Sequence, residues 1–170
     1  MIIHVCSYAR LHSTVEQTGA RHVVTLLGAD DHIDRPSSVP AGNHLFLRVH
    51  DISEPLDGHI VPDAEHVEGL IDFVRGWDRA APLVVHCWAG ISRSTAAAFV
   101  SVCALRPERD EHEIAWAIRR ASPTATPNIR IVTFADVLLG RRGRMVAAIE
   151  SIGRGTLADE GVPFRLPLTA

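Results

Sequence analysis

Lysine is absent from this 170-residue sequence, and all 17 basic residues are arginine. A GC-rich coding bias accounts for that, and it carries no functional information by itself. Against 20 acidic residues these arginines leave a formal charge of −3, which excludes the basic excess of a general nucleic-acid binder. Cysteine is also scarce. Cys6, Cys87 and Cys103 are too few for a disulfide framework, and no CxxC pair marks a structural zinc site. Long hydrophobic runs are missing: the longest, Ala96 to Leu105, is far short of the roughly 20 residues that cross a bilayer. The opening MIIHVCSYAR has no basic region ahead of its short apolar run, so no secretory leader is expected. Those absences predict no membrane partner, no nucleic acid and a cytoplasmic, reducing compartment.

Hydrophobic residues make up 46% of the chain and charged residues 22%. At this length about 70% of the unfolded surface can be buried, so one core needs no staples. Residues 1–150 read as one domain and 151–170 as a C-terminal tail, because the stretch from Gly153 has poor periodicity and two prolines. Short apolar runs at Ile2–Ser7, His22–Leu27, His44–Val49 and Pro82–Val85 predict strands. Between them, Ala29–Asn43 lacks any period and reads as a loop. Ala9–Thr18 is a weakly marked helix. Asp63–Trp77 is an amphipathic one, with Val67, Leu70, Ile71, Val74 and Trp77 on one face. Ser94–Leu105 reads as a buried helix. Asp110 with Glu113 resembles a capping box opening a helix through Ala121, and Pro127-Asn128 opens a last helix through Leu139. Alternating strands and helices define an α/β class, with a small, mainly parallel sheet of four to five strands flanked by helices.

The chemistry concentrates at one strand-to-helix junction, His86-Cys87-Trp88-Ala89-Gly90-Ile91-Ser92-Arg93-Ser94. Chain of this length can wrap a tetrahedral oxyanion. The amides of Trp88, Ala89, Gly90, Ile91, Ser92 and Arg93 would then point inward at a helix N-terminus, where donors and the dipole favour negative charge. Gly90, at the midpoint, supplies torsions that a side chain resists. Arg93 offers a planar fork matching two phosphoryl oxygens. In that field a thiol at position 87 is expected to ionise readily and act as a nucleophile, with the Ser94 hydroxyl helping the sulfur leave.

HCWAGISRS matches the pattern HCxxGxxR[ST], and the chain resembles the cysteine-dependent protein tyrosine phosphatase superfamily, most closely its small bacterial and dual-specificity-like branch. The resemblance runs from about Leu45 to Leu139. It implies a protein tyrosine phosphatase-like fold, with residues 1–150 as the catalytic domain. It also implies a cofactor-free, metal-free hydrolase that removes phosphate from phosphotyrosine, and from phosphoserine or phosphothreonine, in a protein or peptide substrate. Cys87 would form a phosphocysteine while Arg93 and the loop amides hold the equatorial oxygens, and His86 would steady the cysteine turn. An aspartate upstream would protonate the leaving group and then activate water.

Three aspartates compete for that role. Asp51 is preferred, because it ends a strand whose carboxyl edge should face the loop. Asp57, in the EPLDG turn, is second, and Asp63 reads best as a helix cap. Asn128 reads chiefly as a helix cap, with a tie to the phosphate loop as the lesser alternative. His44, His50, His59 and His66 form no ligand spacing, so no metal is expected. Cys6 and Cys103 are expected in the core, and Arg141, Arg142 and Arg144 at a solvated helix end. Uncharged Trp88, Ala89 and Ile91 disfavour a highly charged inositol head group. A non-catalytic phosphate-binding module and a phosphatase of small-molecule phosphoesters remain the alternatives.

Overall fold

Runs of apolar, β-branched residues build a sheet whose inner strands are buried on both faces. In the computed structural model, which describes residues 1–169, strands β1 (Ile2–Ser7), β2 (His22–Leu27), β3 (His44–Arg48) and β4 (Leu83–Cys87) run parallel. Strand β5 (Phe164–Pro167) is antiparallel, and the order is β3-β2-β4-β1-β5. Every residue of β2 and β4 is buried, as inner parallel strands covered by helices require.

The helices are α1 (Leu11–Thr18), α2 (Ala64–Gly76), α3 (Arg93–Leu105), α4 (Glu111–Ala121), α5 (Ile129–Leu138) and α6 (Arg144–Ile152). Side-chain alternation divides the sheet between two cores. Ile3, Val5, Val24, Leu26 and Val85 join the larger one, formed with α2 to α6. Cys6, Val23 and Val84 pack with Leu11 and Val15 of α1 in the smaller one. Three helices start where their caps predict. Asp63 accepts from His66 N at 3.1 Å, Asp110 from Glu113 N at 3.0 Å, and Asn128 Oδ1 from Arg130 N and Ile131 N.

The segment read as a tail supplies β5. Phe164 and Leu166 face inward while Pro167 lies on the open edge, where a missing N–H costs no ladder bond. Four residues are too few to show a period, and so the strand is invisible locally.

The arginine cluster is a correction. Arg142 and Gly143 turn the chain through positive φ, and α6 follows. The buried Asp136 carboxylate caps α6 by accepting from Gly143 N and from Met145 N at 2.6 and 2.8 Å. Arg141 is not a solvated helix end. It is buried and donates to Glu111 Oε1 at 2.9 Å, to Cys103 O at 2.7 Å and to Pro107 O at 3.1 Å, tying α3 to α4. Arg144 reaches Glu111 from the more exposed side, at 3.2 Å. Removing Arg141 leaves a buried carboxylate with one partly solvated partner. We therefore expect Arg141→Met to lower the unfolding free energy in urea by about 3 kcal/mol, the lower end for breaking a buried pair. The double variant Arg141→Met/Glu111→Gln should regain much of that. A single-variant loss below about 1 kcal/mol, the level of an exposed pair, would deny the pair its structural role.

Candidate active site

Strand β4 ends at Cys87, and the chain turns through 88–92 before α3 begins at Arg93. The turn is held from outside by its carbonyl groups. Trp88 O accepts from Tyr8 N at 3.0 Å, Ala89 O from Gly161 N at 2.8 Å and Ile91 O from Thr126 N at 2.9 Å. Ser92 O accepts from Ala96 N and Asn128 N, and the Thr95 hydroxyl reaches both Ile91 O and Ser92 O. With the carbonyls turned outward, the alternate ends of the peptide units turn inward. Among the described residues, no backbone N–H from 89 to 93 donates to a protein acceptor. A row of unspent donors at a helix N-terminus is an anion receptor.

Two glycines permit this closure. Gly90 has φ +73°, and a Cβ there would lie 2.9 Å from Cys6 C and Ser7 N, inside the backbone of β1. Gly161 sits against the loop from the far side, where a Cβ would lie 2.9 Å from Gly90 O. The β1 end is thus pressed against one side of the turn and the 153–163 segment against another. Glu160 reinforces the second contact by accepting from Ser7 Oγ at 2.5 Å.

Inside the bowl, Cys87 Sγ lies 3.1 Å from Ser94 Oγ. Arg93 is only 7% exposed; its Nη1 donates to Val49 O at 2.8 Å, while its Nε is buried without a partner among the described residues. A buried guanidinium N–H left unpaired costs free energy unless a ligand meets it, and an oxyanion resting on the inward amides would do so. Burial pushes the Cys6 and Cys103 thiols up to about 12, so neither competes as a nucleophile near neutral pH.

The chain brings Asp51 to this loop. After β3, Val49 bonds to Leu27 O and to Arg93, and Asp51 follows at the carboxyl edge of the sheet. Its Oδ1 accepts from Ser92 Oγ at 2.7 Å and from Asn128 Nδ2 at 2.9 Å. Asn128 therefore both caps α5 and ties it to the site; its Oδ1 serves the helix and its Nδ2 the carboxylate. Asp57 stays in an exposed turn, where only its carbonyl is engaged, by His59. Asp63 is occupied as the α2 cap.

Beneath the bowl His86 is fully buried. Its Nε2 lies 2.8 Å from Thr25 Oγ1, which lies 2.8 Å from His44 Nε2. Burial, reinforced by the positive field of His44, lowers the His86 pKa to about 3. The unfolded chain therefore binds a proton near pH 6.5 that the folded chain refuses down to about pH 3. Stability held above pH 6.5 is lost as pH falls through that window. We expect the urea midpoint to drop on acidification from pH 7 to 4, and His86→Gln to make that drop shallower. An equal slope in both proteins would show that His86 does not govern the acid limb.

At the rim, Trp88 is 56% exposed and tilts against Tyr8, with ring centroids 5.0 Å apart. Tyr8, Thr126, Gly161 and Thr25 all support the loop from elements remote in sequence. No local pattern marks them, although Gly90 and Arg93 within the loop were legible.

The cysteine sulfur thus lies beside a loop of unspent backbone amides and a buried guanidinium, an arrangement suited to holding an oxyanion over a thiol. The family model for protein-tyrosine phosphatase matches residues 55–124. No match is found among curated proteins. Among solved structures, DUSP15 is similar at 17% identity and TM-score 0.62, covering 88% of this chain and 89% of that one. Human DUSP28 gives 15% identity and TM-score 0.61, covering 82% and 94%. The Yvh1 phosphatase domain from Chaetomium thermophilum gives 18% and 0.60, covering 84% and 93%. The chain is thus similar to the protein-tyrosine phosphatase family over that segment, and its fold is the one seen in dual-specificity phosphatases. Among the described residues, no helix is long and apolar enough to cross a membrane.

Proposed function

We propose that this enzyme hydrolyses phosphotyrosine, and phosphoserine or phosphothreonine, in protein substrates through a phosphocysteine intermediate. The observation that carries the reading is the set of outward carbonyls from Trp88 to Ser92, which frees the amides and the Arg93 Nε for one tetrahedral dianion over Cys87. The sulfur attacks phosphorus in line, and the P–O bond to the leaving group breaks. Asp51, at the loop edge, supplies the proton to the departing oxygen. Its carboxylate then takes a proton from water, which attacks the phosphocysteine and releases Cys87 and inorganic phosphate. The Ser94 hydroxyl donates to the sulfur as it leaves. Amides fixed before the reaction begins stabilise the transition-state charge without reorganising.

A protein substrate is favoured by what lies beside Asp51 and Ser92. An open groove of about 890 Å³ there is walled by Ile91, Ile129 and Leu157 and by the segment from Gly153 to Ala158. The loop itself carries no lysine or arginine other than Arg93 to meet additional phosphates. Turnover of phosphotyrosine, phosphoserine and phosphothreonine peptides of one common sequence tests the reading, together with a mass increment of one phosphoryl group on Cys87 in acid-quenched enzyme. Peptide turnover blocked by vanadate is expected. Failure on all peptides with turnover of small phosphoesters would replace the protein substrate with a small molecule. Phosphate binding without any turnover would leave only a binding module.

A further inference from the structure

The segment that carries Asp51 leaves the sheet after Val49 with almost no core beneath it. Every residue from Ser53 to Ile60 is exposed. Exposed chain with few buried contacts opens at little free-energy cost, so the bonds that close it decide where it lies. On one side α5 supplies them. Asn128 Nδ2 donates to Ile52 O at 3.4 Å, and Arg130 donates to Ser53 O at 3.2 Å and to Pro62 O at 2.6 Å. On the other side the closure falls to His50, a residue that the reaction described above leaves unused.

His50 and Ile60 exchange two bonds. His50 N donates to Ile60 O at 2.8 Å, and Ile60 N donates to His50 Nδ1 at 2.8 Å. Among the described residues, no other hydrogen bond joins Glu54 through Ile60 to the rest of the protein. The imidazole is itself held in place. A Cβ on Gly28 would lie 3.1 Å from its Nε2 and 3.2 Å from its Cδ2, so the bare glycine leaves room for the ring. The His59 ring packs edge-on against it, with centroids 4.7 Å apart. Asp31 stands beside the same glycine, where its Oδ2 accepts from Gly28 N at 2.8 Å. A backbone N–H can only donate, so His50 Nδ1 must keep its lone pair, and the neutral ring carries its proton on Nε2.

We propose that His50 is a positioning residue for Asp51, its Nδ1 serving as the acceptor that closes the 51–59 loop beside the phosphate-binding turn. The peptide unit after His50 leads directly into Asp51, whose carboxylate already meets Ser92 and Asn128. Opening the closure frees the backbone on one side of Asp51 while α5 holds the other. The carboxyl group then spends less time where a departing oxygen can take its proton. The catalytic consequence rests on the phosphatase reading above, whereas the closure itself does not.

The closure is read first in the intact wild-type protein at mildly alkaline pH. The ¹⁵N spectrum of the His50 ring should show the Nε2–H tautomer, and the Ile60 amide should exchange slowly for an exposed residue. A proton on Nδ1, or an Ile60 amide exchanging as fast as open chain, would overturn the proposal whatever the activity. His50→Phe keeps a flat ring against Gly28 and His59 but offers no acceptor. It should release the Ile60 amide and lower kcat/KM on phenyl phosphate, whose leaving group needs the proton, roughly tenfold. Dinitrophenyl phosphate, whose leaving group needs none, should be hydrolysed as by the wild type. His50→Asn sets an amide oxygen near the place of Nδ1 and should restore both readings. An unchanged kcat/KM on phenyl phosphate in His50→Phe, an equal loss on both esters, or no rescue by His50→Asn would each deny His50 the positioning role. Absence of turnover on every phosphoester would instead overturn the functional reading and the catalytic role together, leaving the tautomer and exchange to report the closure alone.

Discussion

Cys87→Ser is expected to abolish turnover of an aryl phosphate, by roughly 10⁴-fold or more, on the scale seen when a covalent nucleophile is removed. The same variant should keep its affinity for phosphate. The reason lies in how the bowl is built. Its donors are backbone amides held by bonds on the opposite side of the peptide units, from Tyr8, Gly161, Thr126 and Asn128. None of those bonds involves the sulfur, and among the described residues Sγ contacts only the Ser94 hydroxyl by hydrogen bond. An oxygen nucleophile at position 87 fits the space but remains protonated and poorly reactive. Phosphate affinity should be measured by calorimetry beside the kinetics. Loss of both binding and turnover would mean that the sulfur organises the loop, contrary to the external bracing. Retained turnover would place the nucleophile elsewhere.

Asp51→Asn is expected to lower kcat by about 10²–10⁴-fold on substrates with poor leaving groups, the range of a lost general acid. A substrate whose leaving group needs no proton should suffer far less. The variant should also flatten the basic limb of the rate profile if, as proposed, that limb reports loss of the proton from Asp51. An amide at this site keeps the bonds from Ser92 and Asn128 with little change of shape, so the loss would be chemical rather than structural. Asp57→Asn provides the control. Its carboxylate takes no part in the loop's hydrogen bonds, and an equal or larger flattening from that variant would transfer the acid role to Asp57.

Position 51 illustrates how far local reasoning reaches. The apolar run HLFLRV marks a strand, and a residue just past the carboxyl end of a parallel strand lies where such sheets bind ligands. That argument needed no knowledge of which strand lay beside it. Asn128 shows the limit of the same approach. Helix capping was the favoured reading and a tie to the loop the lesser one; both hold, because α5 starts beside Asp51, a neighbour 77 residues away. Thr25 is a similar case: within HVVTLL it reads as one more β-former, and only the pairing of β2 between β3 and β4 sets its hydroxyl between two histidines.

What the sequence determined was whatever neighbouring residues could decide together. Cys87, Arg93 and the mid-loop Gly90 lie on one contiguous turn, so their juxtaposition follows from spacing and backbone geometry. The strands and most helices follow from local periodicity and caps for the same reason. The tertiary structure alone decided the bracing of that turn by Tyr8, Thr126 and Gly161, the burial of Arg141 against Glu111, and the return of 164–167 as an edge strand. Each of these is a bond between segments remote along the chain. Its free energy depends on which surfaces the packed core brings together, and no stretch of residues read by itself contains that information.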